Sequence, residues 1–206
     1  MDAILFHPET SIRRALILAL GTYGSEGLSP SDRQPLIAKL LDLYRSDPDS
    51  GIHGAIAWAL RKWGQQEPLK AADAELSRLK DPGQRRWYVN SQGQTFAIIE
   101  GPVEFRMGSS PSESGRDPWE RRHSRLIPRR FAIATTEVSV EQYQRFSTEN
   151  RQFKPDLIAL EQYSPKPNGP MVGVTWFGAA AYCNWLSEKE GLPKDEWCYL
   201  PNEQKK

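Results

Sequence analysis

Apolar residues recur at helical spacing through the first eighty positions and at strand spacing after them. Ile12, Ala15, Leu16 and Ala19 share one face of a 3.6-residue period, and so do Ile52, Ala55, Ile56 and Ala59. These stretches are copies: Pro8 aligns with Pro48, Ile12 with Ile52, Ala15 with Ala55, Ala19 with Ala59, Leu20 with Leu60 and Gly24 with Gly64. Pro8 and Pro48 mark helix starts, with Asp47 as the expected N-cap of the second copy. Between the copies, Ser29 or Ser31 caps a helix with an apolar stripe of Leu36, Ile37, Leu40, Leu41 and Tyr44. A fourth helix is expected over Glu67–Lys80, lined by Leu69, Ala72, Leu76 and Leu79 and ended by Asp81-Pro82-Gly83. Beyond Gly83 the period shortens. Arg86–Val89, Gln94–Glu100, Val103–Met107 and Leu126–Ala134 read as strands, and Met171–Val174 as a shorter one. Ser139 caps a helix over Val140–Phe146, with Gln142 placed to complete a capping box. Residues 150–170 read as a proline-rich connection. Thr175 caps a last helix through Glu190, stopped by Gly191-Leu192-Pro193.

The forty-residue offset, with two helices per unit, is the period of HEAT-type solenoids. Two such units are fewer than a solenoid needs to stand alone. The helices are therefore expected either to continue before Met1 or to pack on the second half of the chain. Residues 1–83 are assigned to this helical segment and 84–206 to a second domain. Composition adds little that is specific. A net charge of +1 gives no global field for nucleic acid or membrane. No apolar run is long enough for a membrane span, and no secretory leader pattern opens the chain, so a cytoplasmic location is expected.

Three motifs, in order, carry a resemblance. Gly101–Ser109 reads G-P-V-E-F-R-M-G-S, Phe131–Tyr143 reads F-A-I-A-T-T-E-V-S-V-E-Q-Y, and Pro170–Leu186 reads P-M-V-G-V-T-W-F-G-A-A-A-Y-C-N-W-L. Together they resemble the opening half of the formylglycine-generating, sulfatase-modifying factor family. The resemblance implies an irregular mixed α/β fold related to C-type lectins. The expected fold class is therefore α + (α+β): HEAT-like hairpins followed by a partial domain of this kind. For complete family members it implies oxidation of a sulfatase-type protein's cysteine to formylglycine, with copper and calcium. Many bacterial copies sit beside kinase or repeat domains. In the family, an R-L-P-T-E-A-E-W-E helix follows the third motif, and the copper-binding cysteines and calcium sites come later. None of these lies before Lys206, so no catalytic, cofactor or metal residue carries over. The chain is expected to be a fragment, inactive by itself. The rival expectation is a non-enzymatic module, binding a protein through its repeats or a ligand through its lectin-like half.

The remaining candidate chemistry is sparse. Cys183 and Cys198 are the two cysteines, and Cys183 is expected to be a buried small residue rather than a redox or metal thiol. Their spacing fits no common zinc or redox motif, and a disulfide between them is disfavoured in a reducing compartment. His7, His53 and His123 are scattered, with His53 assigned a surface or packing role. Arg116, Arg121, Arg122, His123, Arg125, Arg129 and Arg130 form a basic run, expected as a solvated strand with local ion pairs rather than a phosphate or nucleic-acid site. Trp176 and Trp185 are assigned to the core, leaving Trp119, in its polar loop, as the tryptophan to test for exposure.

Overall fold

The computed structural model describes residues 7–23, 27–79 and 81–199. Gly24, Lys80 and the tail at 200–206 lie outside them. Four helices come first: α1 (Thr10–Thr22), α2 (Pro30–Ser46), α3 (Ser50–Lys62) and α4 (Gln66–Leu76). Then follow β1 (Trp87–Val89), β2 (Thr95–Ile99), β3 (Val103–Met107), β4 (His123–Ile127), β5 (Phe131–Ala134), α5 (Val140–Glu149), α6 (Leu157–Tyr163) and α7 (Trp176–Lys189). No helix among the described residues is long and apolar enough to cross a membrane.

Capping fixes where the helices begin. Ser29 Oγ accepts the Asp32 amide at the start of α2, and Asp49 Oδ1 accepts that of Ile52 at the start of α3. Asp49, not Asp47, is therefore the cap. Asp47 has another task. It is buried in the α2–α3 loop, accepts the Asp49 amide at 2.9 Å and pairs with Arg13 of α1 at 3.0 Å. A carboxylate so withdrawn from water needs these partners.

The two copies differ in how they pack. In α3 the expected face is buried, with Ile52, Ala55, Ile56 and Ala59 all in the core. In α1 it is not: Ile12, Ala15 and Ala19 are exposed, and the helix buries Ile17 and Gly21 instead. Gly21 sets this rotation. A Cβ there would collide with the Trp58 ring on α3, so the glycine face is the one that permits close approach. In α4, Leu69, Ala72 and Leu76 are buried as expected, but the helix ends at Leu76 and leaves Leu79 exposed.

The strands form two sheets. β1, β2 and β5 pair antiparallel in that order, and β3 and β4 form a separate ribbon. The expected single strand Leu126–Ala134 is thus two strands in different sheets. Pro128, which has no N–H for a ladder, separates them. Met171–Val174 forms no strand. The chain there makes one bridge, Ser139 to Pro170, and turns at Gly173 with φ of 68°. The 150–170 connection contains α6, capped by Asp156, whose Oδ1 accepts the amides of Ile158 and Ala159.

β1 enters the helical core. Trp87 and Val89 are buried in one cluster with α1–α4. The Trp87 ring stacks on His53 at 3.7 Å, and His53 stacks on Tyr44 at 4.0 Å. The Trp87 indole N–H donates to the Asp47 carbonyl at 2.8 Å. His53 Nδ1 lies 2.9 Å from the Tyr44 carbonyl, so it carries the proton. Nε2 then accepts from Thr95 Oγ1 of β2 at 3.2 Å. The expectation of a packing role for His53 holds; its surface alternative does not.

Burial lowers the His53 pKa to about 4, and the cations Arg85 and Arg61 act in the same direction against the Tyr44 carbonyl. The folded value lies below that of the unfolded chain, so the stabilisation is complete above about pH 6.5. It is lost as pH falls from there through 4. The shift corresponds to roughly 3 kcal/mol at full protonation. We expect urea midpoints to drop between pH 7 and pH 4.5, with His53→Asn, less stable throughout, showing a distinctly shallower drop. Parallel pH profiles for the two proteins would show that His53 is not the titrating group.

Candidate functional site

The second core lies where α5 and α7 meet. Ser139 Oγ accepts the Gln142 amide while Gln142 Oε1 accepts the Ser139 amide at 2.8 Å, the capping box written in the sequence. This presents Tyr143 and Phe146 to α7. Thr175 caps α7 by accepting the Gly178 amide and so aims Tyr182 and Trp185 back at α5. Tyr143, Phe146, Tyr182 and Trp185 are all buried, in stacked and edge-on contacts 5.2–5.7 Å apart. Gly178 lies against the Tyr143 hydroxyl, where a Cβ would come within 2.7 Å.

A buried polar network ties this core to the β1–β2 turn. Gln94 Nε2 donates to the Tyr182 hydroxyl at 3.0 Å and lies 3.3 Å from Gln142 Oε1. Its Oε1 accepts from Asn90 Nδ2, and its amide donates to Asn90 Oδ1 at 2.8 Å. Burial pushes the Tyr182 pKa up to about 12, against the opposing hydrogen bond from Gln94, so the hydroxyl stays protonated. At the far end of the core Glu149 receives Lys189 at 2.8 Å and the Trp185 indole N–H at 2.9 Å. Those hydrogen bonds hold its carboxyl below the usual range.

Beside the core is a mostly apolar cavity of about 160 Å³, lined by residues that include Glu137, Val138, Tyr143, Met171, Val174, Tyr182 and Cys183. Cys183 is exposed, contrary to the expectation of a buried small residue, because α7 turns this side away from α5. Local loss of hydration raises its pKa, and the neighbouring Cys198 adds to the effect. Cys198 is also exposed, and both thiols are free.

The other sequence candidates do not converge. His7 accepts the Glu9 amide before α1, His53 lies in the helical core, and His123 sits on β4 with Nε2 accepting from Arg125. Among the described residues no group of three or more His, Cys, Asp or Glu side chains stands close enough to hold a metal ion. The basic run is exposed apart from Arg116, which is half-buried. Arg130 pairs with Glu100 at 3.2 Å, while Arg116 donates to Ser109 and to the Glu120 carbonyl. Trp119 is 89% exposed. Trp185 is in the core, but Trp176, assigned there from the sequence, is 64% exposed and meets Phe177 and Tyr199 edge-on. Sequence reasoning misses Gln94, since one polar residue after an Asn-Ser-Gln-Gly turn carries no special signal.

These features define a mixed α/β domain with two small antiparallel sheets and an aromatic core between two capped helices. Residues 85–204 match the sulfatase-modifying factor enzyme 1-like domain, and the chain belongs to that family. Among solved structures it is similar to PvdO from Pseudomonas aeruginosa, at 22% identity and a TM-score of 0.39, over 49% of this chain and 42% of that one. The chain thus spans less than half the length of PvdO. No protein of curated function is matched.

Replacing Gln94 with Leu leaves Asn90 Nδ2 without its acceptor, strips Gln142 Oε1 of one of its two donors and removes the donor to Tyr182. We expect a loss of roughly 2–3 kcal/mol in urea unfolding, against about 0.5 kcal/mol or less for Gln92→Ala on the same turn. Equal effects at the two positions would contradict the network's role.

Proposed function

We propose that the chain is part of a sulfatase-modifying factor-type protein whose complete form oxidises a cysteine of a sulfatase-type protein to formylglycine. The family match over residues 85–204 carries this reading. On this reading, copper and calcium serve the complete protein and its location is the cytoplasm. On this reading the described residues do not include the copper-binding cysteine pair of the complete protein, and they bring together no group of three or more acidic, histidine or cysteine side chains. They act instead as scaffold, and the chain by itself is inactive. With copper, oxygen and a sulfatase peptide carrying its substrate cysteine, the purified chain is expected to leave the peptide unchanged. An aldehyde trapped by a hydrazide reagent would overturn the scaffold assignment.

One observation favours a second reading, a protein-binding module built on HEAT-like pairing of α1–α4. The exposed face of α1 is apolar, with Ile12, Ala15, Ala19 and the following Tyr23 open to solvent. Such a stripe suits a protein partner. The readings part at the coding sequence downstream of Lys206. A frame continuing into an R-L-P-T-E-A-E-W helix and a late cysteine pair supports the oxidase, and a stop codon supports the module.

A further inference from the structure

After α7 the chain reverses at Gly191, where φ is 70°, and runs back beside the helix it has just left. Three contacts trace this return. The Leu192 amide donates to the Ser187 carbonyl at 2.9 Å. The Trp197 indole N–H donates to the Leu192 carbonyl at 3.1 Å. Asn184 Nδ2 donates to the Tyr199 carbonyl at 2.6 Å. The Tyr199 ring then meets Trp176, at the start of α7, edge-on at 5.5 Å. Cys183 precedes Asn184, and Cys198 precedes Tyr199. The hydrogen bond joins the residues that follow the two cysteines, so Cys183 and Cys198 sit on neighbouring stretches of the helix and its return, near enough for Cys198 to act on the Cys183 thiol. Both sulfurs are free and both residues are exposed, so a solution oxidant reaches them.

We propose that Cys183 and Cys198 are a redox-responsive pair, closing to an intramolecular disulfide that clasps the 192–199 segment onto α7. The oxidant is a low-molecular-weight disulfide. A thiolate of the pair attacks one sulfur of oxidised glutathione and releases one glutathione thiolate, leaving a mixed disulfide. The second cysteine, deprotonated, attacks the protein sulfur of that mixed disulfide and releases the second glutathione. Two electrons pass from the cysteine pair to the S–S bond of the oxidant, and the two thiol protons end on the released glutathiones. The closed loop is short, so the return path already traced by three hydrogen bonds supplies most of the ordering that closure requires.

The test uses the full chain, reduced, dilute and then exposed to oxidised glutathione. Both free thiols are expected to disappear with no gain of glutathione mass. Lys189 and Lys194 lie between the cysteines. A non-reducing tryptic digest should therefore yield the Cys183 and Cys198 peptides as one linked species that a reductant separates. In the folded protein, tryptic cleavage after Lys194 should slow several-fold on oxidation and recover on reduction. Cys183→Ser and Cys198→Ser should each leave a remaining thiol that is lost only by gaining glutathione mass. In the wild-type chain, persistent thiols, stable glutathione adducts at either cysteine, or a bond between two chains would each overturn the pairing. An unchanged cleavage rate with the disulfide formed would overturn the clasp.

Discussion

The stack of Tyr44, His53 and Trp87 holds the two halves of the molecule in one core. It joins α2, α3 and β1 through ring contacts of 4.0 and 3.7 Å. Each ring is also fixed by a polar atom: the Tyr44 hydroxyl donates to Asp73, the imidazole bridges Tyr44 and Thr95, and the indole donates to the Asp47 carbonyl. Large aromatic surfaces supply the burial, and the polar tips select one arrangement among the many that burial alone would accept. The helices contribute two rings and the sheet one. Neither the α2–α3 pair nor the strand completes the arrangement without the other.

Much of this is legible in the sequence. The caps at Ser139 and Thr175, the helical period of α3 and the strands on either side of the turn at 90–93 are local signals, and the structure follows them. The failures have a common cause, which is that periodicity identifies an apolar face without saying what lies opposite it. In α1 the face containing Ile12, Ala15 and Ala19 is as apolar as its copy in α3, but Gly21 allows the other side to reach Trp58. Trp176 and Trp185 sit on one short helix, yet α5 is placed to cover only the second. The exposure of Cys183 has the same origin. Long-range pairings are out of reach for a different reason. The split of β4 from β5 depends on which strand each finds, while the sequence shows only one apolar run interrupted by Pro128.

The second core depends on a division of labour between aromatic and amide side chains. Tyr143, Phe146, Tyr182 and Trp185 fill the space between α5 and α7, and ring geometry permits several offsets at similar energy. Gln94 removes that freedom. Its amide reaches the Tyr182 hydroxyl and the capping side chain Gln142 from a turn held by Asn90. The placement of α7 is thereby tied to the start of α5 and to the β1–β2 turn at once. At the start of α7, Trp176 and Phe177 stay open to solvent.

The loop between α2 and α3 has a consequence for how the sheet is bounded. Its Pro48 carbonyl accepts the Arg86 amide at 2.9 Å, and its Asp47 carbonyl accepts the Trp87 indole. The helical segment therefore anchors the start of β1 through one backbone and one side-chain hydrogen bond, and it buries Trp87 and Val89. Among the described residues β5 is the terminal strand on the opposite side. The sheet thus has unlike ends: β1 is sunk into the helical core, and Phe131–Ala134 of β5 carries no buried residue.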